Sequence, residues 1–143
     1  MHKNQQLTSE QILAETYLEE IGFLNIPSEN KVLTMTKEYM VNTKPTGIII
    51  RILNTFPLEY PKFYIKDSSL FLVYPHIEQK NEKIDANAIC LFEEKDKFYY
   101  ENIEFLLFDN IKRLEQFIND INNGKLDSKE IFDEFDSYWD YSR

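Results

Sequence analysis

Between Ile103 and Ile121 the aliphatic residues Ile103, Leu107, Ile111, Leu114, Ile118 and Ile121 recur at intervals of three and four. That spacing puts them on one side of an α-helix, and Phe105, Leu106 and Phe108 widen the stripe. A helix with so broad an apolar face has to lie against a second layer, where each large side chain fully buried contributes about 1.5–3 kcal/mol. Asn122-Asn123-Gly124 supplies the stop, because glycine accepts the left-handed conformation that ends helices. The rest of the chain must provide the layer underneath.

Several segments qualify as its strands. Lys31 to Met40 alternates in β-type residues, Asn42 to Pro45 offers turn chemistry, and Gly47-Ile48-Ile49-Ile50-Arg51-Ile52-Leu53 is a β-branched run suited to a central strand. Lys62 to Lys66 follows Pro61 as a third strand, and Leu70 to Val73 forms a short fourth that ends at Pro75. Joined by short turns, these make a small antiparallel meander. Ahead of it, Ser9 to Ile21 reads as a helix with a capping box of Thr8 and Gln11, Leu7 stapled onto Ile12, and Gly22 as its stop. Leu13, Tyr17 and Ile21 are its expected buried stripe, with Glu10, Glu15, Glu19 and Glu20 in solvent. Asp127 to Tyr141 carries Phe132, Phe135 and Trp139 at helical spacing among acidic residues. This acidic aromatic helix either docks on its own domain or meets a partner. The expectation is a single α+β domain over residues 1–143, with residues 1–7 flexible and 127–141 as the closing helix.

Composition removes several function classes. Apolar residues make up 43% and aromatic ones 15% of 143 residues, enough for a hydrophobic core. A net charge of -9 opposes binding to phosphate backbones, so no nucleic-acid partner is expected. No apolar run approaches a bilayer span and the amino terminus lacks a signal-type stretch, which implies a cytoplasmic protein without membrane contact. One cysteine and two separated histidines do not make a zinc set, and a Gly-rich phosphate loop is absent. No cofactor or metal is implied, and the chain cannot adenylate a carboxylate itself. Oligomeric state is not legible.

Cys90 is the sole cysteine, in Asn87-Ala88-Ile89-Cys90-Leu91-Phe92. It is either a packing residue or a single reactive sulfur, since no internal disulfide is available to it. No Lys, Arg or His adjoins it in sequence, which ranks a redox-sensing thiol lower. His76 follows the Tyr74-Pro75 step, and Asn81 and Asn87 are further polar candidates nearby. Each of these is also an ordinary turn or loop residue.

Taken in order, the helix, the meander, Tyr60-Pro61, the Tyr74-Pro75-His76 turn, Ile89-Cys90-Leu91 and two closing helices resemble the ubiquitin-conjugating enzyme fold over nearly the whole chain. That family carries a His-Pro-Asn turn and a Gly-x-Ile-Cys-Leu segment, matched here by Pro75 and by Ile89-Cys90-Leu91. Tyr74 stands where the family has His, His76 where it has Asn, and Ala88 precedes Ile89 without the nearby Gly. Glu78 to Asp85 lengthens the interval to the cysteine, and the Trp-Ser-Pro that commonly follows is missing. These departures resemble the bacterial branch, in particular the conjugating protein of CBASS anti-phage systems, where a Pro-His turn and an ending like Phe135-Asp136-Ser137-Tyr138-Trp139 are familiar.

The resemblance implies a cysteine acyl transferase with Cys90 as nucleophile and His76 as oxyanion donor or as base toward an amine. It also implies a stand-alone form whose acyl partner is the carboxyl-terminal tail of a cGAS-like nucleotidyltransferase, held as a thioester. The alternative from a different class is a non-catalytic module of the same fold that scaffolds a partner protein.

Overall fold

A computed structural model describes residues 6–67, 77–81, 84–91 and 102–124. In chain order these form α1 (Ser9–Glu20), β1 (Leu24–Asn25), β2 (Leu33–Val41), β3 (Lys44–Ile52), β4 (Lys62–Ile65), β5 (Ile77–Asn81), β6 (Ala86–Ile89) and α2 (Ile103–Asn122). The strands build one six-stranded sheet in the order β1-β2-β3-β4-β6-β5, antiparallel throughout. The architecture is α+β, as expected. The meander holds through β4, where the last pair reverses its order so that β6 lies inside and β5 forms the edge. The stretch expected only to lengthen the interval before Cys90 supplies most of this hairpin, closed by the Asp85 N–H donating to the Asn81 carbonyl at 2.8 Å. Its polar sequence carries no apolar alternation, which is why it does not read as strand. The expected strand at Leu70–Val73 and the helix at Asp127–Tyr141 lie outside the described residues.

The β2–β3 turn is a two-residue loop, Asn42-Thr43, with φ of 50° and 67°. Positive φ at both positions matches the right-handed twist of the flanking strands. Pro45 lies opposite Met40, before the stretch of β3 that pairs with β4 begins at Ile48, so its missing N–H costs no ladder bond there.

The side chains alternate cleanly across the sheet. Met35, Ile48, Ile50, Ile52, Phe63, Ile65, Ile77 and Ile89 point to the face covered by the helices and join Leu106, Leu107, Ile111, Leu114, Phe117, Ile118 and Ile121 in the main core. The opposite face carries a smaller cluster, Ile49, Tyr64 and Ala86, beside an open groove of about 530 Å³ edged by Ile26, Ile84, Arg51 and Lys66. Among the aliphatic positions expected on the buried stripe of α2, all are buried except Ile103, which is partly buried and still packs on the core. Phe105 and Phe108 correct the reading: they are 67% and 52% exposed and do not widen the core face. The helix starts at Asn102, whose side chain accepts from the N–H groups of Glu104 and Phe105, and ends at Asn123-Gly124 with Gly124 at φ 65°. Its last residue, Asn122, donates to the Met40 carbonyl and accepts from the Asn42 N–H, at 2.7 and 2.8 Å. The helix end is thereby fastened to the β2–β3 turn.

Helix α1 has the predicted capping box, with the Thr8 hydroxyl accepting from the Gln11 backbone N–H and the Gln11 side-chain Oε1 accepting from the Thr8 N–H. Its buried side departs from the expected stripe. Gln11, Ala14, Glu15 and Leu18 are buried, whereas Leu13 is 54% exposed. The Gln11 amide donates to the carbonyls of Lys31 and Ile52, both at 2.9 Å, and Glu15 accepts from the Asn25 side chain at 2.6 Å. Polar residues are buried here because they satisfy backbone and side-chain groups that the helix would otherwise cover. At the other end the Gly22 N–H bonds to Glu19 and the Phe23 N–H to Leu18, a Schellman closure with Gly22 at φ 103°. Lys37 caps the same end by donating to the Ile21 carbonyl at 2.7 Å while its ammonium lies over the rings of Tyr39 and Phe23.

Candidate active site

Cys90 immediately follows β6 and its side chain is exposed. Its two neighbours explain why. Ile89 is buried in the main core, opposite Phe63 of β4 and Ile77 of β5, and Leu91 packs against the same core. With both flanking side chains held inward, the alternating backbone turns the thiol outward. The packing reading of this cysteine is therefore set aside: its sulfur is presented at the end of a strand anchored on both sides. Thiol chemistry needs that access, because the thiolate is the reacting form and must meet its electrophile.

The strand register shows which groups share this end of the sheet. Beyond the pair Phe63↔Ile89, the next residue toward this end is Lys62 on β4 and Cys90 after β6, and Lys62 in turn pairs with Arg51 of β3. Lys62 is exposed and Arg51 forms a 3.2 Å ion pair with Glu29. Lys62 and the Arg51–Glu29 pair, distant in sequence, thus lie at the end of the sheet where Cys90 emerges. The absence of a basic neighbour in the sequence around Cys90 gave no sign of them. Only strand pairing brings β4 beside β6. Helix α1 reaches the same end of the sheet, since Gln11 bonds to Ile52 at the close of β3.

His76 lies outside the described residues. Its chain neighbour Ile77 is paired with Ile89, the residue before Cys90. The two asparagines considered with it are placed elsewhere. Asn87 is buried opposite Ile65 on the helix-covered face, and Asn81 adjoins the β5–β6 turn, opposite Ala86. Ala86 is four residue steps from Cys90, about 13 Å along an extended chain. Among the described residues no helix is long and apolar enough to cross a membrane.

An α+β domain with a helix laid across an antiparallel sheet and one thiol presented from a strand end is consistent with an E2-like fold. The chain belongs to prokaryotic E2 family B, whose model matches residues 20–143. Comparison with curated proteins and with solved structures gave no match. Membership places the protein among E2-like conjugating proteins of prokaryotes, and the match includes Cys90 and the α2 helix.

Proposed function

We propose that the protein is a cysteine acyl transferase of the E2 type, in which Cys90 carries the carboxyl-terminal tail of a partner as a thioester. The observation that carries this reading is the outward thiol of Cys90, held between two core-anchored neighbours in a chain of an E2 family. In the first step the Cys90 sulfur attacks the carbonyl carbon of an incoming thioester, forming the new carbon–sulfur bond while the donor thiol departs. In the second, an amine attacks that carbonyl carbon, an amide forms, and Cys90 is released as the thiol. The incoming thioester is made by an adenylating activity, which activates the tail's carboxyl group. Lys62, exposed on the neighbouring strand at the same end of the sheet, supplies a cation on the side where the thiolate and the oxyanion develop.

The partner we assign is a cGAS-like nucleotidyltransferase of a CBASS anti-phage system, joined through its terminal carboxyl group and thereby activated. His76 is assigned as the donor to the oxyanion, supported by the pairing of its neighbour Ile77 with Ile89.

Co-expression with the activating protein and the nucleotidyltransferase tests both assignments. Wild-type protein is expected to yield an adduct cleaved by reductant, Cys90→Ser an adduct resistant to it, and Cys90→Ala none. An adduct that persists in Cys90→Ala overturns the reading. For His76, the donor role predicts that His76→Asn retains adduct transfer and His76→Ala loses it, whereas loss in both variants points to a base.

A further inference from the structure

The groove of about 530 Å³ on the sheet face turned away from the helices has an order along it that the strand register fixes. Ile49 of β3, 2% exposed, lies at its middle and shares the lining with Ile26 and Ile84. Two residues along β3 in one direction is Arg51, opposite Thr34 of β2. Two residues in the other direction is Gly47, whose carbonyl accepts from the N–H of Lys66 at 2.9 Å. Gly47 leaves room for the lysine stem, because a Cβ there would stand 3.3 Å from the Lys66 Cδ. Alternation puts Arg51, Ile49 and Lys66 on this same face, so a cation marks each end of an apolar trough, four residues or about 13 Å apart along the strand.

Neither cation is fully engaged. The Arg51 side chain is 13% exposed, and Glu29, itself 55% exposed, meets one guanidinium nitrogen at 3.2 Å. A guanidinium offers five donors, and an ion pair so open to water is weak enough to share its cation with a second carboxylate. Lys66 is exposed and forms no ion pair among the described residues. The Ser28 and Thr34 hydroxyls, 2.6 Å apart, add polar groups at the Arg51 end. The ligand that fits is apolar in the middle and negative at both ends. In an extended peptide the side chains of residues i, i+2 and i+4 share one face and span the same length as the groove. We propose that the groove binds an extended segment of a partner protein in which an aliphatic residue is flanked, two positions away on each side, by acidic residues. The aliphatic side chain lies on Ile49 and the two carboxylates meet Arg51 and Lys66. The isoleucine lining favours a peptide over a phosphate backbone, as does the net charge of -9. This inference does not rest on thioester chemistry at Cys90.

A fluorescein-labelled peptide with the core Glu-Ser-Leu-Ser-Glu, titrated with the full chain at low salt and followed by anisotropy, tests the assignment. Saturable binding is expected, weakened about tenfold or more when both glutamates become glutamine, when the leucine becomes serine, or when one serine is removed so that an end carboxylate turns to the opposite face. Arg51→Gln and Lys66→Gln should each weaken it several-fold while far-UV dichroism and the urea midpoint are kept. Lys66→Glu should lose the diglutamate peptide and gain either Glu-Ser-Leu-Ser-Lys or Lys-Ser-Leu-Ser-Glu, a swap that a purely structural lysine would not produce and that also gives the direction of the bound chain. The proposal is overturned by absence of saturable binding, by equal binding of the shortened peptide, by indifference to both Arg51→Gln and Lys66→Gln, or by failure of both swapped peptides on a folded Lys66→Glu chain. A labelled single-stranded oligonucleotide that binds more tightly than the peptide, and is lost in the same two glutamine variants, assigns the groove to phosphate and overturns it as well.

Discussion

Helix α1 buries Gln11 and Glu15 beside Ala14 and Leu18, whereas the buried side of α2 is aliphatic and aromatic apart from Asn110. Both helices lie on the same core, yet they are held by different forces. The long helix is retained by apolar area removed from water, which is insensitive to direction. The short one is positioned by hydrogen bonds with defined partners, through Gln11 to Lys31 and Ile52 and through Glu15 to Asn25. Such bonds contribute little net energy when made and cost more when one partner is left behind in the interior. The contrast teaches that α2 sets how strongly the domain holds together, while α1 sets where the strand ends beside Cys90 are placed.

The largest expected effect is in α2. Leu114 is fully buried at the centre of the helix, and Leu114→Ala is expected to cost about 2–5 kcal/mol, read from the shift in urea midpoint. A loss below that range would mean the layers can collapse onto the cavity, and the helix would then be less firmly wedged than its packing implies.

Gln11→Leu tests the other half of the comparison. Leucine is more apolar and of similar size, but it leaves the Lys31 and Ile52 carbonyls and the Thr8 N–H without the bonds that Gln11 makes. A destabilisation of about 1–3 kcal/mol is expected, despite the gain in hydrophobicity. If Gln11→Leu equals the wild type in the same urea titration, the polar anchoring of α1 is wrong.

The same contrast explains what the sequence disclosed. The apolar period of α2 survives folding almost residue for residue, because its burial is decided by side chains of one kind. In α1 the period of Leu13, Tyr17 and Ile21 misleads, since the positions buried are the ones with bonding partners, and those partners sit on strands that sequence spacing cannot bring near. The caps at Thr8 and Gly22 were legible because they are local chemistry. The candidate site divides in the same way: Ile89-Cys90-Leu91 could be read directly, whereas Lys62 and Arg51 join it only through the registers of β3, β4 and β6. The β5–β6 hairpin was hidden by its polar composition. Its position depends on pairing with β4 rather than on any alternation of its own.

The smallest effect is expected where the two helices meet around Tyr39. This residue packs near Phe23, under the Lys37 ammonium, and its hydroxyl is buried without a hydrogen-bond partner. Burial first, and then the negative charge of Glu115 on α2, push its pKa up from 10.0 to about 12. The folded state thus favours the neutral phenol. Below pH 10 both states keep the proton and the shift is without consequence. Between pH 10 and about 12 the unfolded chain releases it while the folded chain retains it, so the unfolded state binds fewer protons and stability falls as pH rises. Tyr39→Phe removes a hydroxyl that gains no bond, so at neutral pH the stability should change by less than about 1 kcal/mol. In alkaline solution the variant should lose stability less steeply, with a residual slope from Tyr17, whose pKa is also raised by burial and by Glu115, Glu104 and Glu20. Urea midpoints of both proteins measured from pH 9 to pH 12 check this, and parallel curves would show that Tyr39 is not the group through which the sheet senses the acidic side of α2.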